Sequence, residues 1–371
     1  MSLNKKIFVT KPYLPPLEEF KKRLPEIWES RILSNNGPMV RELEQKLQKY
    51  LGVNHLSLVS NATIGLMIAL KAANVRNKVI TSPFSFVATA QAISWNGAKP
   101  IFVDIDESDL NIDPNEIEKA ISPDTTAILP IHCYGNLCNV EAISKIAKKY
   151  GLKVVYDAAH SFAADNDIGS TLNHGDFSVV SFHATKVFNT FEGGAIISKN
   201  NASKEMVDRL INFSLNTSKD DVDMLGINGK MSEIAALNGI CQLKYIDEVI
   251  EKRKIIYKKY CAALSSVQGI DVVKISSGKR NGYSYMPILV RKSFRYTRDD
   301  FARQLDAKGI FSRKYFYPLL SNLSFYKDLD ISNTKFQNAS LAADQILCMP
   351  IYPDLSDEDF DYIVSVIQKL K

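Results

Sequence analysis

Between residues 40 and 200 the chain alternates short apolar runs with helical patterns of about ten residues, a rhythm few architectures accept. Val79–Ser82, Pro100–Val103, Thr126–Ile131, Lys153–Tyr156, Ser178–Phe182 and Ala195–Ser198 read as strands. Val40–Tyr50, Ile64–Ala73, Phe86–Trp95, Glu116–Ile121 and Val140–Tyr150 read as the helices among them. Short strands joined through helices predict an α/β fold: a mostly parallel sheet covered on both faces.

After about residue 230 the rhythm changes. Ser232–Arg253 reads as one long helix, Val272–Val273 and Tyr285–Val290 as strands, and Asp299–Lys308 and Asp357–Leu370 as helices. This predicts a smaller α+β unit. Pro12, Pro15 and Pro16 make the start an extended lead-in, since proline fixes φ and removes a donor. The expected organisation is an N-terminal segment over 1–14, a large domain over 15–245 and a small C-terminal domain over 246–371. A length of 371 residues agrees with about two domains.

Composition narrows the function classes. Net charge is +5, from 46 basic and 41 acidic residues, too weak a field to argue for nucleic acid but suited to a small anion. The five cysteines, Cys133, Cys138, Cys241, Cys261 and Cys348, read as reduced cytosolic thiols rather than a disulfide framework. Cys133 and Cys138 have no second pair and no His cluster beside them, so no metal site is expected. No window reaches about 18 apolar residues, so no membrane span is expected. The opening MSLNKKIFVTKPYLPPLEEF has no signal-peptide pattern, and a cytoplasmic location is expected.

Open α/β sheets bind ligands beyond the carboxyl ends of their strands. Asp157 follows one predicted strand and Lys186 follows another, 186 − 157 = 29 residues later. A surface ion pair would account for that spacing by itself. Gly193 and Gly194 follow closely, however, and glycine lets backbone approach a ligand. Ser60-Asn61-Ala62-Thr63 opens a helix, as an ordinary N-cap or as a phosphate cradle. Alternation puts Ser181 and His183 on one face of their strand and Phe182 on the other.

The strings SNATIGL, SPFSFVATAQAISWNGAKPIFVDID, VVYDAAHSFAA and SFHATKVFNTFEGGAI resemble the DegT/DnrJ/StrS family of sugar aminotransferases. NNGPMVRELE, GINGKMSEIAALNG and CMPIYPDLSDED match it too, so the resemblance runs in order along nearly the whole chain. It implies a fold-type-I transferase using pyridoxal 5′-phosphate (PLP) in deoxyamino-sugar biosynthesis, such as that of O-antigen. Lys186 matches the family's cofactor-linking lysine, and Asp157 the carboxylate under the pyridine nitrogen. His160 matches a position near the ring hydroxyl, and Phe86 the aromatic stacked on the ring. Thr63, the backbone of Ile64, and Ser181 match the phosphate cradle, with Ala62 where the usual family string has glycine. Asn228 matches an asparagine that reaches the phosphate of a neighbouring subunit, which implies a homodimer with shared active sites; a tight turn at Asn228-Gly229 is the plainer reading.

Lysine at position 186, where one branch of the family has histidine and dehydrates, implies transamination. The implied donor is L-glutamate and the acceptor a nucleotide-linked keto-6-deoxy sugar. TKPYLPPLEEF and HATKVFNTFEGGA look most like members acting at carbon 4 of dTDP-4-keto-6-deoxyglucose, with carbon 3 of a 3-keto isomer as the alternative. For the sugar, the resemblance points to Tyr315 and Tyr317 in an aromatic loop, His183, Lys11, Asn35 and Asn36, each weighed against plain packing or solvation. A PLP-binding regulator without turnover is the reading from another class. Against it stand the complete lysine, aspartate and phosphate set and the lack of a basic tail.

Overall fold

The computed structural model describes residues 6–166, 169–216, 218, 220–275, 280–327 and 336–371. Two helices lead in, α1 (Leu17–Ser30) and α2 (Pro38–Leu51). Then come β1 (Leu56–Val59), α3 (Ala62–Ala72), β2 (Lys78–Thr81), α4 (Val87–Trp95), β3 (Lys99–Phe102), α5 (Pro114–Lys119), β4 (Thr125–Leu129), α6 (Val140–Tyr150) and β5 (Lys153–Asp157). A hairpin of β6 (Asp165–Asn166) and β7 (Gly169–Ser170) precedes β8 (Phe177–Ser181), β9 (Gly194–Ser198) and α7 (Asn201–Ile211).

Seven strands form one sheet in the order β1-β9-β8-β5-β4-β2-β3. Pairing is parallel from β3 to β8, and β9 runs antiparallel to both its neighbours. The expectation of a mostly parallel sheet is met. Adjacent residues feed cores on opposite faces, as the strand pleat requires. Val180 and Ile197 join α2 and the later helix α8 (Glu233–Leu243), while Val179 and Ile196 join α3, α4 and α7. Helix α6 shows why such segments fold locally. Asn139 caps it by accepting from Ala142 N, Val140, Ile143, Ile146 and Ala147 bury one stripe, and Gly151 stops it at φ 67°.

The C-terminal body is an antiparallel sheet of β10 (Ile270–Val272), β11 (Pro287–Val290) and β12 (Ile346–Cys348). Helices α9 (Ile246–Leu264), α10 (Arg298–Asp306), α11 (Ser324–Lys327), α12 (Gln337–Gln345) and α13 (Asp357–Leu370) complete it. The extended lead-in docks here: Ile7 bridges Ile310, and Val9 O accepts from Ile351 N at 3.0 Å.

Two expectations need correction. The helix read over Ser232–Arg253 is two helices, because Lys244 N and Tyr245 N bond three residues back, to Cys241 O and Gln242 O, and tighten the turn without any breaker residue. The proline-rich start does not anticipate α1, which begins straight after Pro16, buries Ile27 in the core shared with α8 and packs the half-buried Phe20 and Leu24 against it. Among the described residues no helix is long and apolar enough to cross a membrane. All five cysteines are free thiols.

Candidate active site

Asp157 is the last residue of β5, and Lys186 lies in the loop after the neighbouring parallel strand β8. Both therefore stand at one carboxyl rim of the sheet. The surface-ion-pair reading fails: Asp157 is buried, and Lys186 Nζ donates to Tyr285 Oη at 3.0 Å. Burial pushes the Lys186 amine down to about 8, opposed by the Asp157 carboxylate and Tyr315. Burial also raises the Asp157 carboxyl above its ordinary value, opposed by hydrogen bonds from Thr89 and the amide of Ala159 and by the Lys186 charge. Thr89 Oγ1 donates to Asp157 Oδ2 at 2.7 Å, and Ala159 N to Oδ1 at 3.2 Å. A carboxylate has about four acceptor sites, so capacity remains for a third donor.

His160 sits under the same rim. Its Nδ1 accepts from Tyr134 N at 3.3 Å, and burial, with the Lys186 charge, holds it well below the ordinary histidine value. The imidazole is neutral at physiological pH. Phe86 occupies the N-cap position of α4 and is 57% exposed, which rules out the plain core reading and leaves an aromatic side chain free for a ligand.

Nearby, α3 starts against the end of the sheet. Ser181 pairs with Gly194 across β8 and β9, and a Cβ on Gly194 would lie 3.0 Å from Ala62 N. The first helical residues, Ala62 and Thr63, lack an intrahelical acceptor for their amides. Ile64 differs from the expectation: its amide donates to Asn61 Oδ1 at 2.9 Å, so the N-cap reading holds there and the backbone of Ile64 is already engaged. Ser60 N donates to Gly229 O at 2.7 Å, which brings the exposed Asn228 alongside this helix start.

The residues proposed for the sugar scatter more. Tyr315 packs edge-on against Tyr285, with ring centroids 5.4 Å apart, and lines a cleft with Val9, Thr10, Thr185, Ser284 and Tyr285. Lys11 follows that cleft's Thr10 and is exposed. The Tyr317 ring instead faces the Arg298 guanidinium at 4.5 Å, so it is held by the C-terminal body. His183 lies beyond the end of β8, which stops at Ser181, so strand alternation does not place it. It is exposed, with Nδ1 2.8 Å from Thr185 Oγ1 and Nε2 3.4 Å from Glu192. Asn35 and Asn36 have φ of 65° and 58°, a left-handed bend that asparagine tolerates, so they have a local structural reason as well.

Three residues of the site escape sequence reasoning: Thr89, Tyr134 and Tyr285. Thr89 was within reach, three residues after Phe86 and hence one helical turn on. Tyr285 carried no signal, being 99 residues from Lys186. Phe316 stacks on the His160 plane at 5.8 Å. A cavity of about 1160 Å³ beside α10 and α12 includes none of these groups; its Arg291 and Arg298 are committed to Asp271, Gln345 and Asp299.

A half-buried lysine with an amine of lowered pKa, a buried carboxylate with spare acceptor capacity, an exposed aromatic face and the open start of an 11-residue helix suit a phosphorylated aromatic aldehyde. Fold and site together define an aminotransferase of the fold-type-I class. The chain belongs to the DegT/DnrJ/EryC1/StrS aminotransferase family, whose model matches residues 17–368. It is 47% identical over 370 residues, all of both chains, to dTDP-4-amino-4,6-dideoxy-D-glucose transaminase of Shigella dysenteriae. It superimposes on DesI, crystallised with its TDP-sugar product, with TM-score 0.94 and 30% identity over 99% of this chain and 93% of that one. A Bacillus cereus protein described as a PLP-dependent aminotransferase matches at 27% identity and TM-score 0.89, over 98% of this chain and all of that one.

Proposed function

We propose that this enzyme is a PLP-dependent 4-aminotransferase that moves an amino group from L-glutamate to carbon 4 of dTDP-4-keto-6-deoxy-D-glucose. The observation that carries the proposal is the Lys186 amine at the sheet rim that also holds Asp157, in a chain aligned end to end with a dTDP-4-amino-4,6-dideoxy-D-glucose transaminase. When bound, the cofactor supplies a carbonyl that accepts the amino group and a ring that draws electrons from the reacting carbon.

The chain's own residues do the rest. Lys186 Nζ would hold the cofactor covalently and, once released, would move the proton from the amine-bearing donor carbon to the cofactor's carbonyl-derived carbon, as general base and then acid. A pKa of about 8 leaves it able to do both near neutral pH. Asp157 keeps a proton on the ring nitrogen, held in place by Thr89 and Ala159 N. Phe86, with its exposed aromatic side chain, would stack on the ring, and neutral His160 would sit by the ring hydroxyl. Ser181, Thr63 and the amides opening α3 take the phosphate. Asn228 would add its side chain from the partner of a homodimer, and Tyr315 and Lys11, the latter next in sequence to the Thr10 that lines the same cleft as Tyr315, would face the sugar. His183, Asn35, Asn36 and Tyr317 are second-rank candidates for the same substrate. We place the enzyme in the cytoplasm, where nucleotide sugar and glutamate meet.

Incubating purified protein with PLP, L-glutamate and either dTDP-4-keto-6-deoxyglucose or its 3-keto isomer, then locating the amine by NMR, tests this reading. Turnover of the 4-keto sugar alone is expected. Turnover of the 3-keto sugar alone moves the reaction to carbon 3. Binding of PLP with no bleaching of its visible band on adding glutamate would make the protein a non-catalytic binder.

A further inference from the structure

We propose that Tyr285 is the positioning residue of Lys186: its hydroxyl holds the lysine amine whenever that amine is not bonded to the cofactor. The inference rests on the reading of Lys186 given above. Its starting point is the 3.0 Å hydrogen bond between Lys186 Nζ and Tyr285 Oη, which joins the loop after β8 to the segment just before β11 of the C-terminal body.

The hydroxyl is held in place from three sides. The Tyr285 ring meets His160 at 4.7 Å and 68°, Tyr134 at 5.8 Å and 63°, and Tyr315 at 5.4 Å and 78°. Three edge-to-face contacts leave the ring little freedom to swing, so Oη is a fixed point. A flexible lysine stem gains most from such a point, because otherwise its released amine explores many rotamers.

A phenol serves both protonation states of the amine. Toward the ammonium it accepts; toward the neutral amine it donates its own proton. Burial raises the Tyr285 hydroxyl above its ordinary value, so it stays neutral while Lys186 titrates. The other titratable groups around Lys186 are Asp157, His160 and Tyr315, and none of them is its hydrogen-bond partner in this structure. The bond to the charged form is the stronger of the two, so Tyr285 also lifts the Lys186 pKa against burial.

The test is Tyr285→Phe, which keeps the three ring contacts and removes one oxygen. Wild type and variant are reconstituted with pyridoxamine 5′-phosphate, which leaves the lysine unlinked. Acetylation of Lys186 by acetic anhydride is then followed against pH by peptide mass spectrometry; a variant that fails to load is read as apoprotein. The Lys186 midpoint should fall by about half to one pH unit. In turnover assays kcat should fall about tenfold, with KM for the nucleotide sugar within about twofold. An unmoved midpoint overturns the proposal whatever the activity does, and so does a moved midpoint with unchanged kcat. Borohydride reduction of the PLP-loaded wild type checks the underlying reading separately: a tag on any residue but Lys186 removes that reading without touching the acetylation result.

Discussion

Thr89 Oγ1 donates to Asp157 Oδ2 at 2.7 Å, and Ser85 Oγ lies 2.7 Å from that same hydroxyl. The carboxylate is thus tied to the first turn of α4, whose N-cap position is Phe86, so one helix start fixes both Asp157 and the Phe86 ring, the two groups proposed to hold the cofactor ring. Thr89 opposes the effect of burial on Asp157, favouring the charged form that a ring N–H needs.

Replacing Thr89 by valine keeps the shape and deletes the donor. The Asp157 pKa then rises further, and the carboxylate protonates at a higher pH. PLP affinity at pH 7 should fall about tenfold or more, as expected for losing a hydrogen bond to a charged group. The pH below which cofactor is released should move upward. Equilibrium dialysis against PLP over a pH series measures both, and values equal to wild type would show that Thr89 does not govern Asp157.

Lys186 gives a second pH signature. Only the neutral amine attacks an aldehyde. Lowering its pKa from 10.5 to about 8 raises the neutral fraction at neutral pH by 10^(10.5 − 8), roughly 300-fold. Capture of PLP by apoprotein should accelerate as pH rises and level off just above 8. Stopped-flow absorbance reads the rate, and a plateau only above pH 10 would mean that burial is not acting on this amine. Lys186→Ala should load no covalent cofactor and lose about 10³-fold or more in turnover while keeping its far-UV circular dichroism.

Gly194 permits the approach of α3 to the sheet. A Cβ there would stand 2.9 Å from Val180 O and 3.0 Å from Ala62 N, backbone atoms that cannot swing aside. Gly194→Ala should push the helix start away from Ser181. The expected outcome is a loss of about 1–3 kcal/mol in stability by urea unfolding, and weaker PLP binding out of proportion to that loss. Equal stability and equal affinity would show that the start of α3 yields freely.

The sheet was legible because its strands are short apolar runs between helices that carry their own caps, as Asn139 and Gly151 do for α6. Asp157 and Lys186 drew attention because strand ends are where open sheets bind ligands, but the spacing alone fitted a surface ion pair, and the family resemblance supplied their roles. What escaped has a common physical cause. Thr89, Tyr285 and Tyr134 act on Asp157, Lys186 and His160 across separations of 68, 99 and 26 residues, set by packing of elements and not by local pattern. Tyr317 shows the same limit: its aromatic loop pointed to the sugar, and only packing reveals that its ring also faces the Arg298 guanidinium. The break between α8 and α9 has no breaker residue and arises from two tightened backbone bonds.

Asn228 carries the last prediction, because its backbone lies beside the α3 start of its own chain while its side chain is exposed. If it serves the partner's phosphate site, complementation between two damaged subunits will show it. Asn228→Ala alone should weaken turnover about tenfold or more through the lost phosphate contact, and Lys186→Ala alone should be inactive. In a mixed dimer, the site built on the intact Lys186 would receive Asn228 from the other subunit and be whole. Random reassembly of the two variants makes half the dimers mixed, each with one whole site of two, so about a quarter of wild-type activity should return. If Asn228 serves its own chain, every site keeps one lesion and mixing restores nothing above the Asn228→Ala level. Denaturing and refolding the two purified variants together, then assaying glutamate-dependent amination, separates these outcomes.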